Sequence, residues 1–149
     1  MEQLTLDVGI KEYNINGTAV LRFNPADPNL YARYIASIDK IDAVEKEMQK
    51  KAQAIDENSP TFVKESCNLM AEADAKVKEV LSETFGNGND FDKIFDGVNV
   101  MAVAINGERV IANFMNLVGP LLESGVTSFV DKQVEEKKLN RQQRRAMAK

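Results

Sequence analysis

The side chains of this chain that could do chemistry are carboxylates, a single cysteine and a group of C-terminal arginines, because its 149 residues include no histidine. Histidine is the side chain best suited to proton transfer near neutral pH and the commonest metal ligand. Its absence excludes Ser-His-Asp triads, Cys-His pairs and zinc hydrolase sites. Neighbouring carboxylates such as Glu45 with Glu47 fall on polar faces of predicted helices, where neither burial nor a close like charge can move a pKa toward neutrality. We therefore predict no catalytic residues and no enzymatic activity.

Two further features suggest chemistry and are better explained by structure. Cys67 is the single cysteine, so no internal disulfide can form, and a reducing compartment is expected. Its spacing from Val63 and Met70 predicts a place in or beside the core.

The segment 87–96 is rich in Asn and Asp, but no register supplies the ligand spacing of an EF-hand calcium loop. We expect a loop with helix caps there, and neither a metal nor a cofactor.

The C-terminal segment 132–149 is the part of the sequence with binding character. It holds seven of the 19 basic and two of the 23 acidic residues, so it carries +5 and the remainder carries −9. Arg141, Arg144 and Arg145 could pair with phosphates or with acidic protein surfaces. A solvated helix end, a protein-binding segment and a nucleic-acid-binding segment all remain open, although the acidic body disfavours approach to phosphate. We predict one domain over 1–131 and a basic tail, helical or frayed, over 132–149.

The N-terminal part of the chain predicts strands. Apolar residues alternate with polar ones between Leu4 and Phe23, as in half-buried strands. Asn16-Gly17 predicts a tight hairpin turn, because both residues tolerate positive φ. We expect a β-hairpin with an additional strand before it.

Two long helices should follow, each opened by a side-chain oxygen and a proline, at Asp27-Pro28 and Ser59-Pro60. A link over 56–58 should join them into an antiparallel hairpin, and Gly86 should end the second helix. On the first helix, apolar residues recur every three or four positions. These positions are Tyr31, Tyr34, Ile38, Ile41, Val44, Met48, Ala52 and Ile55.

The rest of the chain predicts further helices. A short one should carry Phe91, Ile94 and Phe95. Over 98–118 a single helix is preferred to a hairpin turning at Asn106-Gly107, and Gly119-Pro120 should kink or break it before a last helix runs into the tail. The predicted fold class is therefore mainly α with a small N-terminal antiparallel β-hairpin (α+β), in which a helical hairpin is followed by C-terminal helices. No apolar run approaches the ~18 residues of a membrane span.

These helices offer more apolar surface than one β-hairpin can cover. We expect part of it to form a groove, lined by residues 27–85 and 100–130, that holds an amphipathic partner helix. The candidate partner-binding residues are Tyr31, Tyr34, Ile38, Ile41, Phe114, Val118, Arg141, Arg144 and Arg145.

The order of these segments resembles that of a known family. Tyr13-Asn14-Ile15-Asn16-Gly17 on a hairpin precedes Asp27-Pro28 on a long charged helix, and Phe85-Gly86-Asn87-Gly88 precedes Lys93-Ile94-Phe95-Asp96-Gly97. Over residues 10 to 130 this resembles the small tail assembly chaperones of siphophages and prophages of Gram-positive bacteria, and the ending Asn140 to Arg145 is similar to the basic ends of such proteins.

The resemblance implies a function in the host cytoplasm. Such a protein binds and solubilises the tape measure protein, helps to recruit tail tube subunits, forms a homo-oligomer, and is often also made in a longer, frameshifted form. No catalytic residues carry over. The alternative is a small regulatory or nucleic-acid-binding protein that acts through its basic tail.

Overall fold

The fold is mainly helical with a small N-terminal sheet, as predicted. The computed structural model describes residues 1–147, and over this range it has two strands and four helices. The elements are β1 (Lys11–Ile15), β2 (Ala19–Phe23), α1 (Pro28–Gln53), α2 (Phe62–Phe85), α3 (Phe91–Ile94) and α4 (Val110–Met147). The α+β class predicted from the sequence is thereby confirmed.

The β-hairpin forms where the sequence predicts it. β1 and β2 pair antiparallel, with Tyr13 opposite Leu21. Asn16 and Gly17 turn the chain with φ of 54° and 75°, a backbone conformation that Asn and Gly tolerate best. One face of the sheet packs inward through Tyr13, Leu21 and Phe23, and the rings of Tyr13 and Phe23 stack at 4.8 Å.

The additional strand predicted before the hairpin is wrong. Residues 1–10, here called the N-terminal arm, belong to neither strand and pair with no other described residue in a sheet. The arm is held at its base, where Asn24 Nδ2 donates to the carbonyl oxygen of Val8 at 2.9 Å. Alternating side chains predict which face of a strand is apolar, but a strand also needs a neighbouring edge to bond with.

The first long helix begins as predicted, and the second begins two residues late. Asp27 caps α1 by accepting a hydrogen bond from the backbone N–H of Asn29 at 2.9 Å. The predicted cap of α2, Ser59, instead accepts from the backbone N–H of Phe62 within a turn, and Thr61 occupies the N-cap. Gly86 ends α2 as predicted, with φ of 100° and ψ of 152°, so it has the positive φ that favours glycine but not the left-handed helical conformation.

An ion-pair ladder joins α1 to α2 and shows that the two helices run antiparallel. Lys51 contacts both Glu47 and Glu72 at 3.2 Å, and Lys76 reaches the same two carboxylates. Hydrogen bonding to Lys51 is the largest influence that lowers the pKa of both Glu47 and Glu72, and Lys76 adds to it. Such exposed pairs are individually weak.

The helix preferred over 98–118 is wrong for residues 98–109, which form a loop. The chain turns at Asn106-Gly107, where Gly107 has φ of 85° and Val103 bridges to Arg109 in antiparallel fashion. The alternative prediction, a turn at Asn106-Gly107, is therefore closer to the structure than the predicted helix, although no full hairpin forms within the described residues. A turn forms at Asn106-Gly107 instead of a helix because glycine adopts positive φ, which ends a helix, at little steric cost.

α4 continues through Gly119-Pro120, so of the predicted kink or break the break is wrong. Pro120 and Asn116, the residue whose carbonyl loses its partner, are both exposed, which leaves that oxygen to water. The helix packs closely at Gly125, where an added Cβ atom would overlap the carbonyl oxygen of Pro25. α4 also crosses the predicted domain boundary without interruption, and residues 131–147 are exposed throughout, while 148 and 149 lie outside the described range.

The core is an aromatic cluster reinforced by one buried amide. The rings of Phe85, Phe91 and Phe95 each lie 5.3–6.0 Å from the ring of Phe114. Asn89 joins the sheet to α2, because its side chain accepts from the backbone N–H of Arg22 and donates to the carbonyl oxygens of Arg22 and Phe85.

Cys67 is exposed and not in the core, contrary to its predicted position.

Candidate protein-binding cleft

An apolar concavity lies beside the tip of the β-hairpin and is here called the hairpin-tip cleft. It has a volume of about 700 Å³, and the hairpin turn, α3, the 98–109 loop and the first turns of α4 border it. The lining residues are Ile15, Asn16, Ile94, Phe95, Asp96, Val98, Ala104, Ile105, Asn106, Val110, Asn113, Phe114 and Leu117. Volumes of this order are typical of binding sites.

The cleft has a buried floor and an exposed apolar rim. Ile94, Phe95 and Phe114 form the floor and belong to the core. The rim carries Ile105, which is fully exposed, and Leu117, which is 55% exposed. Large apolar side chains grouped around a concavity mark a surface suited to a partner, because covering them removes apolar area from water.

The loop that supplies this rim is anchored to α2 by a partly buried ion pair. Asp74 accepts a hydrogen bond from the backbone N–H of Val100 at 2.8 Å and pairs with Lys78 at 2.9 Å. Lys78 also pairs with Asp92 at 2.9 Å, next to α3. Burial is the largest influence on the pKa of Lys78 and lowers it, but hydrogen bonds to Asp92 and Asp74 together raise it above its ordinary value. Lys78 therefore stays charged and fixes the loop and α3 relative to one helix.

A smaller cleft lies between α1 and α4. Its volume is about 340 Å³, and Tyr34, Ile38 and Ile41 line it together with the acidic Asp42 and Glu45. Burial raises the pKa of Tyr34, with smaller contributions from Tyr31 and Glu123. This surface is more polar than the hairpin-tip cleft because two carboxylates border it.

The structure separates the apolar residues that the sequence suggested for partner binding. Tyr34, Ile41, Phe114 and Val118 are buried in the core of this chain, and Tyr31 is half-buried. Ile38 is 45% exposed at the edge of the smaller cleft. A helical apolar stripe identifies which face packs inward, and here most of that face packs against α2 and α4 of the same molecule.

The exposed rim residue Ile105 was missed because it lies on the loop that the sequence analysis assigned to a helix. Ile105 directly precedes Asn106-Gly107, and an apolar residue beside a tight turn has little protein around it to pack against. The position of Ile105 directly before Asn106-Gly107 is the sequence feature that could have identified it as an exposed residue.

The three candidate arginines lie together on the last part of α4. Arg141, Arg144 and Arg145 are exposed and form no ion pair with another described residue. They lie on the tail and not at either cleft.

Residues 1–147 provide neither a metal cluster nor a membrane-spanning helix. No group of three or more Cys, Asp or Glu side chains in this range is arranged to hold a metal ion. None of the helices described combines the length and the apolar character that crossing a bilayer requires.

Comparison with known proteins adds no assignment to this geometry. No protein-family model matches the chain, and neither a curated protein nor a solved structure matches it significantly.

Proposed function

We propose that this protein is a non-enzymatic chaperone that holds an apolar segment of another protein in the hairpin-tip cleft. The single observation that supports this most strongly is the cleft itself, a concavity of about 700 Å³ with an apolar floor and with Ile105 and Leu117 exposed on its rim. A complementary partner is an amphipathic helix, which can place two or three successive apolar side chains in such a groove.

The proposed client is the tape measure protein of a phage tail, and the proposed role is that of a tail assembly chaperone in the host cytoplasm. The support for this identity is the resemblance of residues 10 to 130 to that family, together with a surface suited to covering apolar helix. Recruitment of tail tube subunits and self-association belong to the same proposal. The cleft supports the mode of binding, and the resemblance supports the identity of the client.

Ile105 offers a sharp test of the proposed binding mode. Fully burying one large apolar side chain contributes about 1.5–3 kcal/mol, so Ile105→Asp should weaken client binding roughly 10- to 150-fold. Val103→Asp is the matched control, because Val103 is also exposed on this loop but does not line the cleft.

The experiment is co-expression of each variant with a tape measure protein from the same phage, the client that the proposal names. We expect the wild-type protein and Val103→Asp to keep the tape measure protein soluble, and Ile105→Asp to lose that effect. If the wild-type protein does not raise the solubility of the tape measure protein, the proposed client is wrong. If Ile105→Asp and Val103→Asp have equal effects, the proposed binding site in the hairpin-tip cleft is wrong.

The exposed basic tail favours a second candidate, nucleic-acid binding through Arg141, Arg144 and Arg145. The net charge of −9 on the rest of the chain opposes it. Binding to duplex DNA or to RNA at low salt, weakening steeply as salt rises, would support this candidate. Absence of binding at low salt would remove it.

A further inference from the structure

A third concavity lies at the end of the β-hairpin remote from its tip and is here called the arm-base cleft. Its volume is about 520 Å³, and the N-terminal arm, the end of β2, the start of α1 and Phe129 of α4 border it. Phe23 lines it and pairs with Lys11 at the start of β1, whereas Ile15 at the other end of β1 lines the hairpin-tip cleft. The two linings share no residue, so the arm-base cleft is separate from the hairpin-tip cleft.

Charge distinguishes the arm-base cleft from the two clefts described above. Its lining contains Arg22, Arg33 and Asp27, a net charge of +1. The linings of the hairpin-tip cleft and of the smaller cleft are acidic, with net charges of −1 and −2. The chain outside its basic tail carries −9, so a basic concavity on this body favours a negatively charged group locally.

Arg33 is the charged group of this lining that is best prepared to bind an anion. It is exposed, and its Nε donates to the carbonyl oxygen of Thr84 at 3.0 Å, which ties the side chain to the end of α2. Within residues 1–147 no hydrogen bond or ion pair occupies its two terminal nitrogens. Because one edge of the guanidinium is already fixed, binding a carboxylate through the other nitrogens costs less side-chain freedom.

The other two charged side chains are already engaged in part. Arg22 Nε lies 3.1 Å from a carboxylate oxygen of Glu12, in an exposed pair of little individual strength. Asp27 accepts a hydrogen bond from the backbone N–H of Asn29 as the cap of α1. Arg22 therefore adds positive charge to the cleft, and Arg33 supplies the accessible donors.

Apolar surface borders the same cleft. Val8 and Ile10 of the N-terminal arm are 54% and 44% exposed, and Phe129 is half-buried. Asn24 fixes this part of the arm, because its side chain donates to the carbonyl oxygen of Val8 at 2.9 Å and accepts from the backbone N–H of Ala26 at 2.8 Å. A ligand in the arm-base cleft can therefore contact a fixed apolar wall and a guanidinium group together.

We propose that the arm-base cleft binds a short segment of another protein in which an apolar side chain neighbours the carboxylate of a Glu or Asp. The carboxylate pairs with Arg33, as planar guanidinium and carboxylate groups do in two-bond contacts. The apolar side chain packs against Val8, Ile10 and Phe129. This inference does not depend on the proposed function, because it concerns a different cleft.

The same charges disfavour a nucleic acid as the occupant. A polyanion binds by contacting several basic groups at once, whereas this lining has a net charge of +1 on an acidic body. A single carboxylate needs only one accessible guanidinium. An acidic and apolar peptide is therefore the ligand that this cleft fits.

Three capped peptides test the ligand chemistry on the wild-type protein. The first is acetyl-Ala-Leu-Glu-Ala-amide, the second replaces its Glu by Gln, and the third replaces its Leu by Ser. Binding is followed by the backbone amide signals of the protein in NMR titrations. We expect the first peptide to shift signals of Asn24 and Arg33, the second to bind roughly 10-fold more weakly or less, because a hydrogen bond to a charged group is lost, and the third to bind more weakly than the first. Equal binding of the Glu and Gln peptides, equal binding of the Leu and Ser peptides, or shifts confined to other parts of the chain would overturn the proposal.

A matched pair of variants then tests the role of Arg33. Arg33→Gln and Lys50→Gln remove the same charge from exposed positions of α1, but Lys50 does not line the cleft. We expect Arg33→Gln to abolish the preference for the Glu peptide over the Gln peptide, and Lys50→Gln to keep it. Circular dichroism checks that both variants are folded, and the preference compares two peptides on one variant, so a modest loss of stability does not imitate the effect. An Arg33→Gln variant that keeps the preference, or a Lys50→Gln variant that loses it equally, contradicts the assignment.

Ile105→Asp is the control for the location of the site. Ile105 lines the hairpin-tip cleft and not the arm-base cleft, so this variant should bind the three peptides as the wild-type protein does. Loss of peptide binding in Ile105→Asp would place the peptide in the hairpin-tip cleft and overturn the proposal.

Discussion

The side chain of Asn89 should be the most sensitive polar position in this fold. It is 7% exposed, and it bonds to the backbone N–H of Arg22 at 2.7 Å and to the carbonyl oxygens of Arg22 and Phe85 at 3.0 and 3.1 Å. These bonds tie β2 to the end of α2, so they also position the hairpin tip that borders the cleft. Asn89→Ala removes all three at once and leaves three backbone groups without a partner.

The magnitude follows from the environment of those groups. The bond to Phe85 is buried, and an unsatisfied buried acceptor costs about 1–3 kcal/mol. The two bonds to Arg22 are partly buried, so water can replace part of each, and we assign about 0.5–1 kcal/mol to each. Asn89→Ala should therefore reduce the free energy of unfolding by about 2–5 kcal/mol, a large fraction of the total stability of a domain of this size.

Asn89→Asp separates the donor from the acceptor role. The carboxylate can still accept from Arg22 N–H, but it has no proton to donate to the two carbonyl oxygens and repels them. A protonated carboxyl group can donate to one of them, so the deficit relative to the wild-type protein should shrink as the pH falls toward the pKa of the introduced group. Urea unfolding followed by circular dichroism at several pH values measures both effects. A loss below about 1 kcal/mol in Asn89→Ala, or a pH-independent deficit in Asn89→Asp, would refute this reasoning.

Two further predictions concern packing and pH. Gly125→Ala should lower the melting temperature, because the added Cβ meets the carbonyl oxygen of Pro25 and overpacking costs about 1–3 kcal/mol. In an open helix the same change would stabilise the protein by about 1 kcal/mol, so the sign of the change in melting temperature tests the close packing. Ser124→Ala, at an exposed neighbouring position, is the control. Folding lowers the pKa of Glu47 and of Glu72, so their ion pairs stabilise the fold fully at pH values above the ordinary glutamate pKa of 4.5. This stabilisation is lost as the pH falls through the lowered pKa values of the folded state. Urea unfolding at neutral and acidic pH should show less pH dependence in the Glu47→Gln, Glu72→Gln variant than in the wild-type protein, and equal dependence would contradict the assignment.

Local chemistry made much of this fold predictable. Asn16-Gly17, Asp27-Pro28 and Gly86 each act through bonds or φ values within a few residues, so the hairpin turn, the start of α1 and the end of α2 could be placed from sequence alone. The alternation before Lys11 could not reveal that no partner strand is available in the described structure. The predicted break at Pro120 does not occur, because a proline costs a helix less when the carbonyl oxygen that it leaves unpaired, here that of Asn116, reaches water.

The candidate site could be predicted less well than the fold. Apolar periodicity located Phe114 and Val118 on a helix face, but that face fills the core of the chain and offers no free surface. Whether an apolar side chain is covered depends on contacts between segments distant in sequence. The rim residue Ile105 became visible once the loop was positioned against α3 and α4.

Hydrogen–deuterium exchange of the complex with the tape measure protein tests the central claim most directly. If the hairpin-tip cleft holds the client, amides of the 98–109 loop and of the first turns of α4 exchange more slowly in the complex, while those of the 54–61 link between α1 and α2 are unchanged. Protection confined to the basic tail or to the α1 surface around Ile38, with the 98–109 loop unaffected, would contradict the account.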